Sequence, residues 1–197
     1  AGDVRDPHDI MLFQVPADAV ERQVWRAADG SLAAEILLRE APGTPLEADA
    51  GEAIELMVQR VWLAASAEML GIAETLFDMT LAYVKTRVQF GRPIGQFQVI
   101  QHRLTDAYVA LEQARSLLLR AAALGDDPRA LAAARAYMGE AALKVAHEAV
   151  QFHGGMGVTD ELLVGHGLKR IQFLSRLWGD PDTAAAAFAR APLEQAA

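Results

Sequence analysis

Two stretches of the chain carry residue types that could hold a phosphorylated, ring-bearing ligand. The first is Arg87-Val88-Gln89-Phe90-Gly91-Arg92-Pro93-Ile94-Gly95-Gln96-Phe97-Gln98. A guanidinium such as that of Arg87 can meet phosphate through two parallel N–H donors. Phe90 offers a flat face for a planar ring, and a glycine lets the backbone come close to a ligand. The same stretch reads equally as a helix C-terminus with its customary arginine and glycine. The second is Gln151-Phe152-His153-Gly154-Gly155-Met156-Gly157-Val158-Thr159. Three glycines in four residues expose backbone N–H groups just before a helix start, where an anion or the polar edge of a cofactor can sit. It reads also as an interhelical turn that needs positive φ. His153 taken alone reads as structural rather than catalytic.

Long helices must position both stretches. From about residue 50, Ile54, Val58, Val61, Ala65, Met69, Ile72, Leu76, Met79 and Tyr83 step by three or four, one apolar stripe on one helix. Gly91 and Pro93 are expected to end it. Ile100, Leu104, Ala107, Leu111, Ala114 and Leu118 mark a second helix. Gly125-Asp126-Asp127-Pro128 marks a turn, with Asp127 as cap and Pro128 at the first helical position. Leu131, Ala134, Met138, Ala141, Val145 and Ala149 mark a third. The glycines after His153 stop it, and Thr159 is placed to cap a fourth helix running to about Trp178. A short last helix follows Asp180-Pro181. Long helices with short turns pack antiparallel, so the expected fold is mainly α, an up-down four-helix bundle. There is no internal repeat.

Ahead of the bundle lies a short β segment. Ile10–Val15 is apolar until Pro16-Ala17-Asp18, Val20–Ala27 and Leu32–Leu38 flank a hairpin signal at Ala28-Asp29-Gly30, and Ala41–Asp49 reads as a linker. Three short strands are too few for their own core. Residues 1–48 are therefore expected to be the end of a truncated β domain with its linker, and residues 49–197 the bundle. Ala1 is not an initiator methionine, which suggests a chain that starts inside a domain.

Composition narrows the chemistry. Hydrophobic residues make up 52% and charged residues 22%, ordinary globular proportions. A net charge of −8 and a pI near 5.1 argue against a nucleic-acid partner. With no cysteine, disulfides, thiolate metal sites and cysteine nucleophiles are excluded, and no metal site is expected. No apolar run is expected to approach the roughly 20 residues of a membrane span. No signal peptide is visible, so the cytoplasm is the expected location.

Taken together, R-x-x-F-G-x-x-x-x-x-F-Q followed some fifty residues later by Q-x-x-G-G-x-G resembles the acyl-CoA dehydrogenase family. The resemblance runs over about residues 10–190, through the strand tail, the helix before Arg87, and Leu168-Lys169-Arg170 to Gly179-Asp180. It implies the end of a middle β domain plus a C-terminal four-helix bundle. Arg87 and Phe90 match positions that grip the pyrophosphate and adenine side of FAD, often in the neighbouring subunit. Gln98 matches a second position on that surface, and Gln151, Gly154 and Gly155 match the segment along the adenosine end. A site built from two subunits implies a homo- or hetero-oligomer, a dimer or tetramer. The implied reaction is α,β-dehydrogenation of an acyl-CoA thioester in lipid catabolism. A carboxylate takes the α-proton, the β-hydrogen leaves as hydride to the flavin, and an electron-transfer flavoprotein takes the electrons.

The pattern breaks at the base. The resemblance places a glutamate before a glycine near the C-terminus, and here Trp178 precedes Gly179. A second family position near Val61 holds no carboxylate either, only Gln59 and Arg60 nearby. Asp180 and Glu68 are the acidic residues that could be recruited. Asp180 reads also as the N-cap of the last helix, and Glu68 as a wet-face residue or the partner of an arginine. Three functions follow: an active flavoprotein dehydrogenase with a relocated carboxylate, a non-catalytic subunit completing a partner's site, or a structural bundle without flavin. The piece alone is expected to bind FAD weakly and turn over nothing.

Overall fold

The computed structural model describes residues 10–47, 50–125 and 127–191. The expected turn residue Asp126, and Ala48 and Asp49 of the expected linker, lie outside them. Two compact units divide between Val58 and Gln59.

The first unit contains two antiparallel strand pairs. β2 (Glu21–Arg26) and β3 (Leu32–Leu37) form a hairpin in which Trp25 faces Ala33 and Val24 faces Ala34. Gly30 turns it with φ 87°, in the left-handed region open to glycine. β1 (Leu12–Gln14) pairs with β4 (Thr44–Glu47), which corrects the reading of Ala41–Asp49 as a linker. Pro45 argued against a strand there, but a strand at a sheet edge does not need every N–H.

The second unit, from Gln59 on, holds the bundle, whose first helix begins before that division. α1 spans Gly51–Thr86, about 54 Å at roughly 1.5 Å per residue. α2 is Gln98–Leu124, α3 Pro128–His153, α4 Leu163–Leu174 and α5 Pro181–Arg190. Side-chain contacts fix the directions. Glu74 pairs with Arg115 at 2.9 Å while Phe77 meets Tyr108, so α1 and α2 are antiparallel. Arg103 pairs with Glu148 while Tyr137 meets Gln113, so α2 and α3 are antiparallel too. Glu68 meets Arg170, and Leu76 lies against Gly167, which sets α4 against α1. The result is the expected antiparallel up-down bundle.

Its core is rich in alanine. Ala65, Met69, Ala73 and Leu76 of α1 pack with Ala107, Leu111 and Ala114 of α2, with Met138, Ala142 and Val145 of α3, and with Ile171 and Leu174 of α4. Alanine lets helix backbones approach closely and favours helix itself. Asp127 caps α3 by accepting from the Arg129 amide at 2.9 Å, with Pro128 first in the helix.

Three boundaries differ from expectation. α1 ends at Thr86, before Gly91 and Pro93, because residues 88–93 fold into a small hairpin instead. α4 starts at Leu163 with Leu162 as its cap; the Thr159 hydroxyl donates to Met156 O at 2.9 Å and caps nothing. α4 also stops at Leu174, short of Trp178. The expectation of no span-length apolar stretch is corrected as well. α1 contains an 18-residue window of mean hydropathy 1.2, long and apolar enough by composition to cross a membrane. In the bundle its Trp62, Ala65, Met69, Ala73 and Leu76 are buried against the other helices.

Candidate functional site

The Arg87–Gln98 stretch closes on itself. Arg87 donates its amide to Tyr83 O at 2.9 Å and accepts from Ile94 N at 2.8 Å. Between them β5 (Val88–Gln89) pairs with β6 (Arg92–Pro93), with Val88 opposite Pro93 and Gln89 opposite Arg92. The two-residue loop is Phe90-Gly91, with φ 53° and 80°. Two successive positive φ values suit a tight hairpin turn, but phenylalanine seldom accepts one. The turn leaves Phe90 89% exposed, edge-on to Phe97 with ring centroids 6.2 Å apart. The Arg92 guanidinium sits 4.2 Å above the Phe97 ring. Arg87 is exposed, and Gln98 is the exposed first residue of α2.

The glycine stretch follows α3 directly. Gly154 leaves the helix with φ 62°, and residues Gly154–Val158 form a single 3₁₀ segment. A Cβ added at Gly154 or Gly155 would meet nothing within 4 Å, so both face open space. Gly157 is the opposite case: its Cβ would lie 2.8 Å from Val150 O, so the close packing there excludes any side chain. Gln151 is exposed on the last turn of α3.

The bundle brings these stretches to one end. The Tyr83 and His153 rings stack at 4.3 Å with planes 21° apart, joining the end of α1 to the end of α3. His153 is buried, and its Nδ1 lies 2.8 Å from Ala149 O, which fixes the proton on Nδ1. Beside the first loop, a mainly apolar groove of about 570 Å³ runs between α1 and α2, walled by Phe77, Leu81, Val84, Leu104 and Tyr108. An exposed cation, an exposed aromatic ring and two open glycines together suit a dinucleotide's diphosphate and adenine.

The carboxylate candidates lie elsewhere. Glu68, partway along α1, receives Nε and Nη2 of Arg170 at 2.6 and 3.1 Å, a two-pronged pair. Asp180 caps α5: Oδ1 accepts from the Thr183 amide at 2.8 Å and the Thr183 hydroxyl at 2.6 Å. These hydrogen bonds hold its carboxyl below the usual carboxylate range. Near the expected base positions, Gln59 and Val61 are half-buried and Arg60 is exposed. Trp178 lies in the turn after α4, with φ 57° and half its surface exposed. The Trp62 indole N–H donates to its carbonyl at 3.0 Å.

That contact places Trp178 far from the loops. Twenty-one residues of helix separate Trp62 from Tyr83, about 32 Å at roughly 1.5 Å each. The loops and the Trp178 turn lie well apart along α1.

Two residues at the Trp178 end have no counterpart among the expected site residues. One is Trp62. The other is Arg135, whose Nη2 donates to Leu174 O, Leu177 O and Gly179 O at 2.7, 3.1 and 3.0 Å. A signal existed: Arg135 falls four residues after Leu131 and three before Met138, inside the apolar stripe of α3, where an isolated charge is out of place.

Residues 53–192 match the family model for the acyl-CoA dehydrogenase C-terminal domain. The chain belongs to the acyl-CoA dehydrogenase family. Among curated relatives, acyl-CoA dehydrogenase IpdE2 of Mycolicibacterium smegmatis is 42% identical over 119 residues, 60% of this chain and 38% of that protein. The 3-sulfinopropanoyl-CoA desulfinase of Paraburkholderia xenovorans is 48% identical over 107 residues, 53% of this chain and 27% of that protein. The chain thus spans well under half the length of these curated relatives. Among solved structures, a variant of the Tcur3481–Tcur3483 steroid ACAD superposes with a TM-score of 0.80 at 28% identity, covering 91% of this chain and 50% of that one.

Proposed function

We propose that this chain is the C-terminal part of a FAD-dependent acyl-CoA dehydrogenase assembly, in which it supplies nucleotide-holding loops and no base of its own. The observation that carries this reading is the commitment of both nearby carboxylates. Glu68 is paired with Arg170, and Asp180 caps α5 through Thr183. A general base for the α-proton needs an affinity tuned towards the working pH and a free path to the proton. Asp180 is shifted the other way, and Trp178 has no proton-accepting group at the place where the family carries glutamate.

The loop end fits the cofactor. Arg87 would meet the diphosphate, the open Gly154-Gly155 backbone would approach the adenosine, and Phe90 would stack on a flat ring, with Gln98 and Gln151 beside them. FAD, when bound, supplies hydride acceptance. Roughly 32 Å of α1 separates Tyr83, beside the loops, from Trp62, which holds the Trp178 carbonyl, so the loops are read as serving a cofactor whose reactive ring lies on another chain. A hetero-oligomer follows, with the catalytic carboxylate on the partner. The similarity to the Tcur3481–Tcur3483 steroid ACAD, whose name joins two proteins, supports this choice over a self-sufficient enzyme. An acyl-CoA is the proposed substrate, an electron-transfer flavoprotein the proposed acceptor, and the cytoplasm the proposed site.

The test is turnover of the chain purified together with its native partner. Glu68→Gln and Asp180→Asn should each leave the rate unchanged, while removing the partner's acidic residue should abolish it. Loss of turnover in either of the first two would place the base on this chain. Alone, the chain should show little flavin absorbance and no activity.

A further inference from the structure

The outward side of α2 carries a stripe of heptad spacing. Asp106, Val109, Gln113, Ser116 and Arg120 step by three and four, and all five are exposed. Two of its charges are left over from the bundle. Glu112 and Arg115 pair with each other at 3.2 Å, and Arg115 also reaches Glu74 of α1. Asp106 and Arg120 have no ion pair among the described residues. They are opposite in sign, and each stands seven residues from Gln113.

The apolar ground between them has the same midpoint. A shallow groove of about 540 Å³ crosses the stripe, lined by α2 from Tyr108 to Leu117 and by Tyr137 of α3. The Tyr137 hydroxyl donates to the Gln113 side-chain oxygen and holds the middle of the groove. Val109 keeps 48% of its surface exposed there. Exposed apolar side chains continue along the same helix at Val99, Leu119 and Leu124. Turned end for end about Gln113, the face matches itself: Asp106 takes the place of Arg120, and Val109 that of Leu117. A face with that symmetry is complementary to its own copy, the condition for an isologous two-fold contact.

We propose that two copies of this chain pair through antiparallel α2 helices about a two-fold axis at Gln113, with Asp106 of each copy against Arg120 of the other and each Val109 in the other's groove. A different chain would need a matching arrangement of its own; a second copy carries it already. The stripe begins at Asp106, eight residues along α2 from Gln98, so the contact uses neither the Arg87 loop nor the Gly154 loop. It therefore stands apart from the flavin and base assignments above.

Sedimentation equilibrium of the full chain tests this. The native chain should dimerise at micromolar concentration. Asp106→Arg or Arg120→Asp alone sets like charges together twice per dimer, so each should weaken pairing by about ten-fold or more at low salt. The double reversal, Asp106→Arg with Arg120→Asp, exchanges the signs on both copies and should restore the native affinity to within about two-fold. Val109→Glu, which drives an unpaired charge into the groove, should leave a monomer. All three positions are exposed, so circular dichroism should show unchanged helix content in every variant. A native chain that stays monomeric at tens of micromolar overturns the proposal, including one that assembles only when a different chain is added. Pairing that no variant weakens overturns the choice of face. Single reversals that weaken pairing without rescue in the double overturn the Asp106–Arg120 register. A base found on this chain would refute the catalytic reading and leave these masses as they are.

Discussion

The rings of Tyr83 and His153 lie 4.3 Å apart and nearly parallel, and through them the Arg87 loop and the Gly154 loop share one support. Stacked pairs of this kind contribute about 0.5–1.5 kcal/mol beyond area burial. A double-mutant cycle on Tyr83→Leu and His153→Leu should return a coupling energy in that range by denaturant unfolding. Either single variant should also speed amide hydrogen exchange at Gly154 and Gly155. A coupling near zero would mean that the rings are adjacent without supporting each other.

The cap at Asp180 sets a pH dependence. Its folded pKa is depressed, chiefly by the Thr183 hydroxyl and amide, so its contribution is complete above the unfolded carboxylate value of about 3.9 and is lost as pH falls through the lower folded value. The Tm difference between the native chain and Asp180→Ala should stay constant near neutrality and shrink only below about pH 4. A difference that grew on acidification would contradict the capping geometry.

Glycines on two helices should respond to the same substitution with opposite signs. At Gly139 of α3 a new Cβ would sit 2.7 Å from Pro181 Cγ, so Gly139→Ala must push α5 away. The cost should be about 1–3 kcal/mol of overpacking, against a helix-propensity gain of at most about 1 kcal/mol. At Gly71 of α1 nothing lies within 4 Å, so Gly71→Ala should stabilise by about 0.5–1 kcal/mol. Urea unfolding of both variants reads the contrast directly.

The Glu68–Arg170 pair is well aligned but more than a third exposed on Glu68. Its coupling should not exceed about 1 kcal/mol and should fall as salt is added. Unfolding of Glu68→Gln, Arg170→Gln and the double variant at low and high ionic strength measures this.

Periodicity carried much of the bundle. Every position of the α3 stripe read from sequence, Leu131 through Ala149, is buried. Asp127 and Asp180 were legible as caps because an aspartate before proline has a local geometric meaning. What failed was set by distant partners. Thr159 looked like a cap, but α4 begins later. The last carbonyl of α4 is held by Arg135, thirty-nine residues before Leu174 in sequence. The strand at Thr44–Glu47 was hidden by Pro45, whose cost depends on a sheet edge that one sequence does not display. The two loops were visible as motifs, but their meeting at one end needed the directions of three helices.

The unbroken length of α1 makes it a ruler. Tyr83 supports the Gly154 loop and Trp62 holds the Trp178 turn, so the spacing of those two stations along the helix is set by the number of turns between them. Inserting or deleting a few residues within that interval would leave each terminus locally intact while moving the two out of phase by a helical step and a rotation. The interval should tolerate exchange of side chains far better than any change in count.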